Sequence, residues 1–288
     1  MKKILCVLLA ALLLAGCSAG TAEPETTSGG SNMLPKDKTY NILFIGNSYT
    51  FFNDMPTAYF EPIVKSQGYQ VTVTAITKGA YTLEKFADPQ NTYGILINNA
   101  LSSETKYDYV IIQEQSARPA VNPGAFYDGV RLMAEKIRNA GAQPILYATW
   151  GRKDGSDTLT KYDMTSEEMT WRLAAAYDAI GKELDIPVVH VGCAFREIYT
   201  TCQSIELYNP DKSHPSPAGS YMAAMALACG IFGFTPDDIT IAGPLSAEEE
   251  AAVRNAVAQP PAIPQEYLTS STGVTAPTDT TEATNPTQ

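Results

Sequence analysis

The chain has 288 residues, of which 44% are hydrophobic and 18% charged, and its formal net charge at pH 7 is −11. The apolar content suffices for one sizeable folded domain. The acidic balance argues against nucleic acid as a partner, because binding a phosphate backbone depends on neutralising it with Lys and Arg.

The N-terminus opens Met-Lys-Lys, runs through apolar residues from Ile4 to Leu14, and reaches Leu14-Ala15-Gly16-Cys17. This run is too short to span a bilayer as a permanent helix. It resembles a bacterial lipoprotein signal, which implies cleavage after residue 16 and lipidation of Cys17; an ordinary secretory signal with a chance cysteine is the other reading. The resemblance places the protein at a bacterial cell surface or the outer face of a membrane, touching the bilayer through the lipid alone. With Cys6 removed and Cys17 lipidated, Cys193, Cys202 and Cys229 remain, an odd set without Cys-x-x-Cys spacing. That argues against a disulfide framework or a zinc site, although one bridge such as Cys193 to Cys202 is compatible with it. Residues 17–35 are small and polar, as in a flexible tether. Residues 269–288 are rich in Thr and Pro and too poor in apolar residues to fold alone. The folded domain is expected over 36–268.

Within that span, Tyr40–Ile45, Gln70–Ala75, Tyr107–Ile112, Pro144–Thr149 and Pro187–Val191 are apolar, β-branched runs bounded by turn residues, and they predict buried strands. Helices are predicted near 55–67, 123–140, 164–184, 217–231 and 246–257, with Gly141 placed to end the second. The acidic run Glu248-Glu249-Glu250 after Ser246 predicts the capped start of the last helix. Strand-helix alternation of this kind implies an α/β fold whose parallel sheet is covered on both faces, with its site at the carboxyl ends of the strands.

Two segments carry chemistry. The first strand runs into Gly46-Asn47-Ser48, which places a serine hydroxyl at a strand's carboxyl end among backbone amides able to hold an oxyanion. A Gly-Asn turn with a solvated serine is the alternative. Far along the chain, Asp211-Lys212-Ser213-His214 precedes Ser216-Pro217, an N-cap and first-turn proline for the 217–231 helix. A carboxylate three residues from an imidazole can fix its tautomer while the other ring nitrogen meets a serine; the alternative is an aspartate that only turns the chain. His190, inside an apolar strand, reads as a core or near-site histidine rather than a base. Trp150 and Arg152 follow the fourth strand at the same edge, where an aromatic face could stack a sugar and a guanidinium could meet an acidic group; core packing and solvent are their other readings.

Together, Ile45-Gly46-Asn47-Ser48 and Asp211-x-x-His214 resemble the first and last blocks of the SGNH (GDSL-like) hydrolases, over about residues 40 to 232. The resemblance implies a flavodoxin-like three-layer sandwich with a central sheet of about five strands, a Ser48–His214–Asp211 triad, and no metal or organic cofactor. It places Gly79, in Lys78-Gly79-Ala80, at the family's oxyanion glycine, although a turn glycine with positive φ is also open. The family's Gly-x-Asn-Asp block is replaced by Gln113-Glu114-Gln115-Ser116, so a glutamine amide is expected to join the N–H groups of Ser48 and Gly79. Gln113, at the strand end, is preferred as that donor over Gln115, which is expected to line the acyl or sugar pocket. Asn47, in place of the family's Asp, is expected to hold the loop and to lie beside bound substrate.

The implied activity is hydrolysis of acyl esters through an acyl-serine, with O-acetyl groups on a polysaccharide as the substrate expected at a cell surface. A ligand-binding lipoprotein that keeps the scaffold without turnover is the alternative, supported by the altered third block. An α/β-hydrolase elbow is disfavoured, since Gly46-x-Ser48-x-Thr50 lacks the closing glycine.

Overall fold

The computed structural model describes residues 33–270. The expected signal segment, Cys17, the tether up to residue 32 and the tail from residue 271 lie outside the described residues. Five parallel strands, β1 (Thr39–Gly46), β2 (Gln70–Thr77), β3 (Tyr109–Ile112), β4 (Gln143–Ala148) and β5 (Val188–His190), form one sheet in the order β2-β1-β3-β4-β5. This is the doubly wound order of flavodoxin-like folds, whose ligand crevice opens where the winding reverses, between β1 and β3.

The helices are α1 (Ser48–Phe51), α2 (Glu61–Ser66), α3 (Leu83–Ala87), α4 (Thr92–Ser102), α5 (Arg118–Val121), α6 (Pro123–Asn139), α7 (Asp157–Tyr162), α8 (Ser166–Leu184), α9 (Val191–Thr201), α10 (Pro217–Phe232), α11 (Ala247–Ala258) and α12 (Gln265–Ser270). Among the described residues, none is long and apolar enough to cross a membrane. The single helix expected over 55–67 is instead a π turn, Pro56–Phe60, running into α2. Pro62 explains the change, because it has no N–H to give the carbonyl four residues back and its ring would crowd that carbonyl.

Alternation along each strand divides the core. Tyr40, Ile42, Phe44, Ile111, Ile145 and Tyr147 pack on one face with α9 and α10. Leu43, Ile45, Val110, Ile112, Leu146 and Ala148 pack on the other with α6 and α8. Strands apolar on both sides are what a sheet covered twice requires. Helix α10 is buried almost all round and starts as its sequence suggests, with the Ser216 hydroxyl accepting from the Gly219 N–H at 3.1 Å. At the amino end of the sheet, the Leu34 N–H donates to the Phe232 carbonyl at 3.4 Å, Tyr69 Oη to the Leu34 carbonyl at 3.2 Å, and Tyr40 Oη to the Pro35 carbonyl at 2.8 Å. Cys193, Cys202 and Cys229 are free thiols, so the Cys193–Cys202 bridge does not form. Burial pushes the thiols of Cys193 and Cys229 up to about 12.

Candidate active site

Register brings three strand ends level. Gly46 pairs with Thr77, and Ile45 with Ile112, so the segments after β1, β2 and β3 meet at the switch point. Gly46 is obligatory there, since a Cβ would sit 2.2 Å from Thr50 Oγ1 and 2.8 Å from Gln113 Oε1. Asn47 caps α1 through its side-chain oxygen and donates Nδ2 to the carbonyls of Tyr81 at 3.2 Å and Glu114 at 3.1 Å. It is 2% exposed, so it brackets the three loops together and is not a substrate contact. An ionised aspartate here would face two carbonyls with no proton to give, which rationalises the amide.

Asn47's bracket leaves Ser48 at the first position of α1, with an N–H that has no partner among the described residues. Ser48 Oγ lies 2.8 Å from His214 Nε2, and His214 Nδ1 lies 2.6 Å from Asp211 Oδ2. The other Asp211 oxygen accepts from the N–H groups of Ser213 at 3.0 Å and His214 at 2.9 Å. Partial burial works against the charge of Asp211, but these contacts prevail and hold its carboxyl below the usual value. The His214 ring stacks on Phe52 at 4.1 Å, and His214 and Asp211 sit in a loop closed by the Tyr208–Pro215 bridge. Asn53, whose φ of 54° is left-handed, donates Nδ2 to the Pro215 carbonyl at 3.0 Å and Ser220 Oγ at 2.8 Å, tying the serine segment to the histidine loop. Neither Phe52 nor Asn53 was singled out from sequence. The Asn-Asp pair, tolerant of left-handed backbone, was the available signal.

Gly79 lies in the exposed loop after β2, where an added Cβ would meet nothing within 4 Å, and its N–H has no partner among the described residues. It does not have positive φ; Ala80 does, at 60°. The third block requires a correction. Gln113 is wholly buried beneath the serine turn, its Oε1 accepting from the Asn47 N–H at 2.9 Å and Thr50 Oγ1 at 3.0 Å, and its Nε2 donating to the Glu114 carbonyl. It therefore holds the turn and does not face substrate. Gln115 uses Oε1 to accept from the N–H groups of Ala117 and Arg118, both at 3.1 Å, and its Nε2 has no partner among the described residues, which leaves it as the block's uncommitted amide.

Trp150 is wholly buried, stacked between Tyr49 at 4.5 Å and Phe195 at 4.0 Å, and its Nε1 donates to the Ser213 carbonyl at 3.1 Å. The sugar-platform reading fails, and the indole instead supports the loop that carries His214. Arg152 is half-buried and donates to Tyr49 Oη and, at 2.7 Å, to Ser116 Oγ. His190, at the end of β5, pairs through Nε2 with Asp178 of α8 at 2.6 Å and takes no part in the Ser48 chain.

Glu114 also escaped notice in the sequence. Its fully buried carboxylate accepts from the N–H of Gln115 at 2.6 Å and, with both oxygens, from the N–H of Leu83 at 3.3 Å, clamping the start of α3 to the third block. Burial raises its carboxyl to about 7, against the pull of the Gln115 N–H, Arg118 and the Leu83 N–H. A carboxyl raised on folding binds its proton more tightly in the native state, so its contribution to stability is complete below the unfolded value and is lost as pH climbs to about 7. Glu114→Gln should remove this slope. Across that window the variant should gain on the wild type by up to about 1.4 kcal/mol per pH unit in urea unfolding. A wild-type to variant difference that stays constant from pH 5 to 8 rules out this titration.

No protein-family model matches the chain, and no curated protein does. Among solved structures, a protein from Slackia heliotrinireducens assigned as an SGNH hydrolase is 33% identical with a TM-score of 0.58, covering 66% of this chain and 98% of its own. A DUF4886 family protein from Bacteroides uniformis shares the fold at 17% identity with a TM-score of 0.64, covering 76% of this chain and 93% of its own. With the level strand ends and the two sequence blocks that meet there, this likeness identifies the family: the chain belongs to the SGNH hydrolase superfamily.

Proposed function

We propose that the protein is a serine esterase that removes acyl groups, foremost O-acetyl groups on carbohydrate, from a lipid-anchored position at Cys17 on the outer face of a bacterial membrane. The observation that carries the reading is the unbroken hydrogen-bonded chain from Ser48 Oγ through His214 to Asp211 beside unpartnered N–H groups. His214 Nε2 takes the Ser48 proton as Oγ attacks the ester carbonyl. The same nitrogen returns the proton to the leaving alcohol, and water then cleaves the acyl-serine by the reverse sequence. Asp211 keeps the Nδ1 proton in place and stabilises the imidazolium. The N–H groups of Ser48 and Gly79 receive the oxyanion, and Gln115 Nε2 replaces Gln113 as the side-chain donor. The intact chain favours turnover over the ligand-binding alternative. Purified protein is expected to hydrolyse p-nitrophenyl acetate well above the Ser48→Ala background, and equal rates in the two would sink the esterase reading.

A further inference from the structure

Arg152 differs from the other arginines among the described residues. Arg118, Arg131, Arg172, Arg196 and Arg254 each face a glutamate. Arg138 donates to the Leu184 carbonyl at the end of α8. Arg152 alone rests on neutral side-chain hydroxyls, Tyr49 Oη and Ser116 Oγ, with its Nε buried and unpartnered. A guanidinium taken half out of water without a counter-charge is costly, and in a chain of net charge −11 carboxylates were plentiful. Its position is equally specific. The Tyr49 ring follows the nucleophile in sequence and has the His214 ring 5.9 Å from its centre and the Arg152 guanidinium 5.2 Å from it. Arginine has five N–H donors in a planar fork. One on each terminal nitrogen is engaged by a hydroxyl, so each keeps a second N–H able to donate to a carboxylate oxygen.

We infer that Arg152 is the binding site for a carboxylate on the substrate, so that the preferred ester is an O-acylated acidic saccharide of the uronate class. This rests on the esterase reading. The hydroxyls of Tyr49 and Ser116 hold the guanidinium in place before substrate arrives, so little side-chain freedom is lost on binding.

The test compares two O-acetylated oligosaccharides of equal length that differ only at C6, an oligogalacturonate and its carboxyl-reduced, α-1,4-linked galactose counterpart, with p-nitrophenyl acetate as a reference. Wild-type protein is expected to prefer the uronate in kcat/KM by 10-fold or more. Arg152→Gln should shrink that preference at least 10-fold, chiefly through KM, while Arg152→Lys keeps part of it. Unacetylated oligogalacturonate should compete with p-nitrophenyl acetate in the wild type and lose that competition in Arg152→Gln. Equal fractional losses on both saccharides would mean that Arg152 only props Tyr49 and Ser116, and would overturn the assignment. So would a wild-type preference for the neutral saccharide, which needs no variant to fold. Failure of the esterase reading is distinguishable, since it removes turnover of all three esters from the wild type.

Discussion

Ser48→Ala and His214→Ala should each lower kcat by roughly 10⁴- to 10⁶-fold, and the double variant should be no worse than either alone. The expectation follows from Ser48 Oγ and His214 Nε2 sharing one contact of 2.8 Å, so removing either atom removes the same proton transfer. Asp211→Asn should be severe but milder, because an amide oxygen still accepts from the N–H groups of Ser213 and His214 and keeps the loop, while losing the charge that stabilises the imidazolium. Steady-state rates on p-nitrophenyl acetate decide the matter, with His190→Ala as the comparison. His190 has its own carboxylate, Asp178, and belongs to the β5 edge. If His190→Ala were as inactive as Ser48→Ala while His214→Ala kept its rate, the assignment of the base would be wrong.

Gln113→Ala should be the most damaging change in the third block, and through structure rather than chemistry. Truncation leaves the Asn47 N–H and the Thr50 hydroxyl without an acceptor in a site closed to water. Stranded buried groups cost about 1–3 kcal/mol each, so a loss of roughly 2–5 kcal/mol in urea unfolding is expected. The serine turn loses its prop at the same time, so kcat should fall as well. Gln115→Ala should show the opposite balance, with a smaller stability loss of about 0.5–2 kcal/mol from the lost acceptor of the Ala117 and Arg118 N–H groups and kcat down by about 10²-fold if its Nε2 meets the oxyanion. Equal unfolding midpoints for wild type and Gln113→Ala would refute this role for Gln113.

The inner strands β1, β3 and β4 were legible because a sheet covered on both faces needs uninterrupted apolar, β-branched runs, a pattern that survives without knowledge of neighbours. By contrast, β2 and β5, also expected to be buried, are edge strands in which only Val71 is buried. The loop from Asp211 to Pro217 was legible for a related reason, since carboxylate, imidazole, N-cap and first-turn proline all act within a few residues of one another. What could not be read depends on partners from other strands. Gln113 and Gln115 have equal strand parity, and only the buried Asn47 and Thr50 facing Gln113 separate a prop from an uncommitted amide. Trp150 reads as a platform or as core with equal ease until Tyr49 and Phe195 close over its two faces. Glu114 looks like a loop acid, yet the Leu83 N–H, 31 residues away, makes it a buried clamp. Helix α9 was missed because it begins at Val191, directly after the last strand residue, with no polar cap between them.

The tie between Leu34, Pro35 and the amino ends of the strands sets a direction for the whole catalytic pole. Chain entering there is separated from Ser48 by the length of β1, eight residues or about 26 Å of rigid sheet. An attachment made at that end of the described segment therefore leaves the nucleophile's pole unobstructed, as a tool gripped at the far end of its handle leaves its tip free.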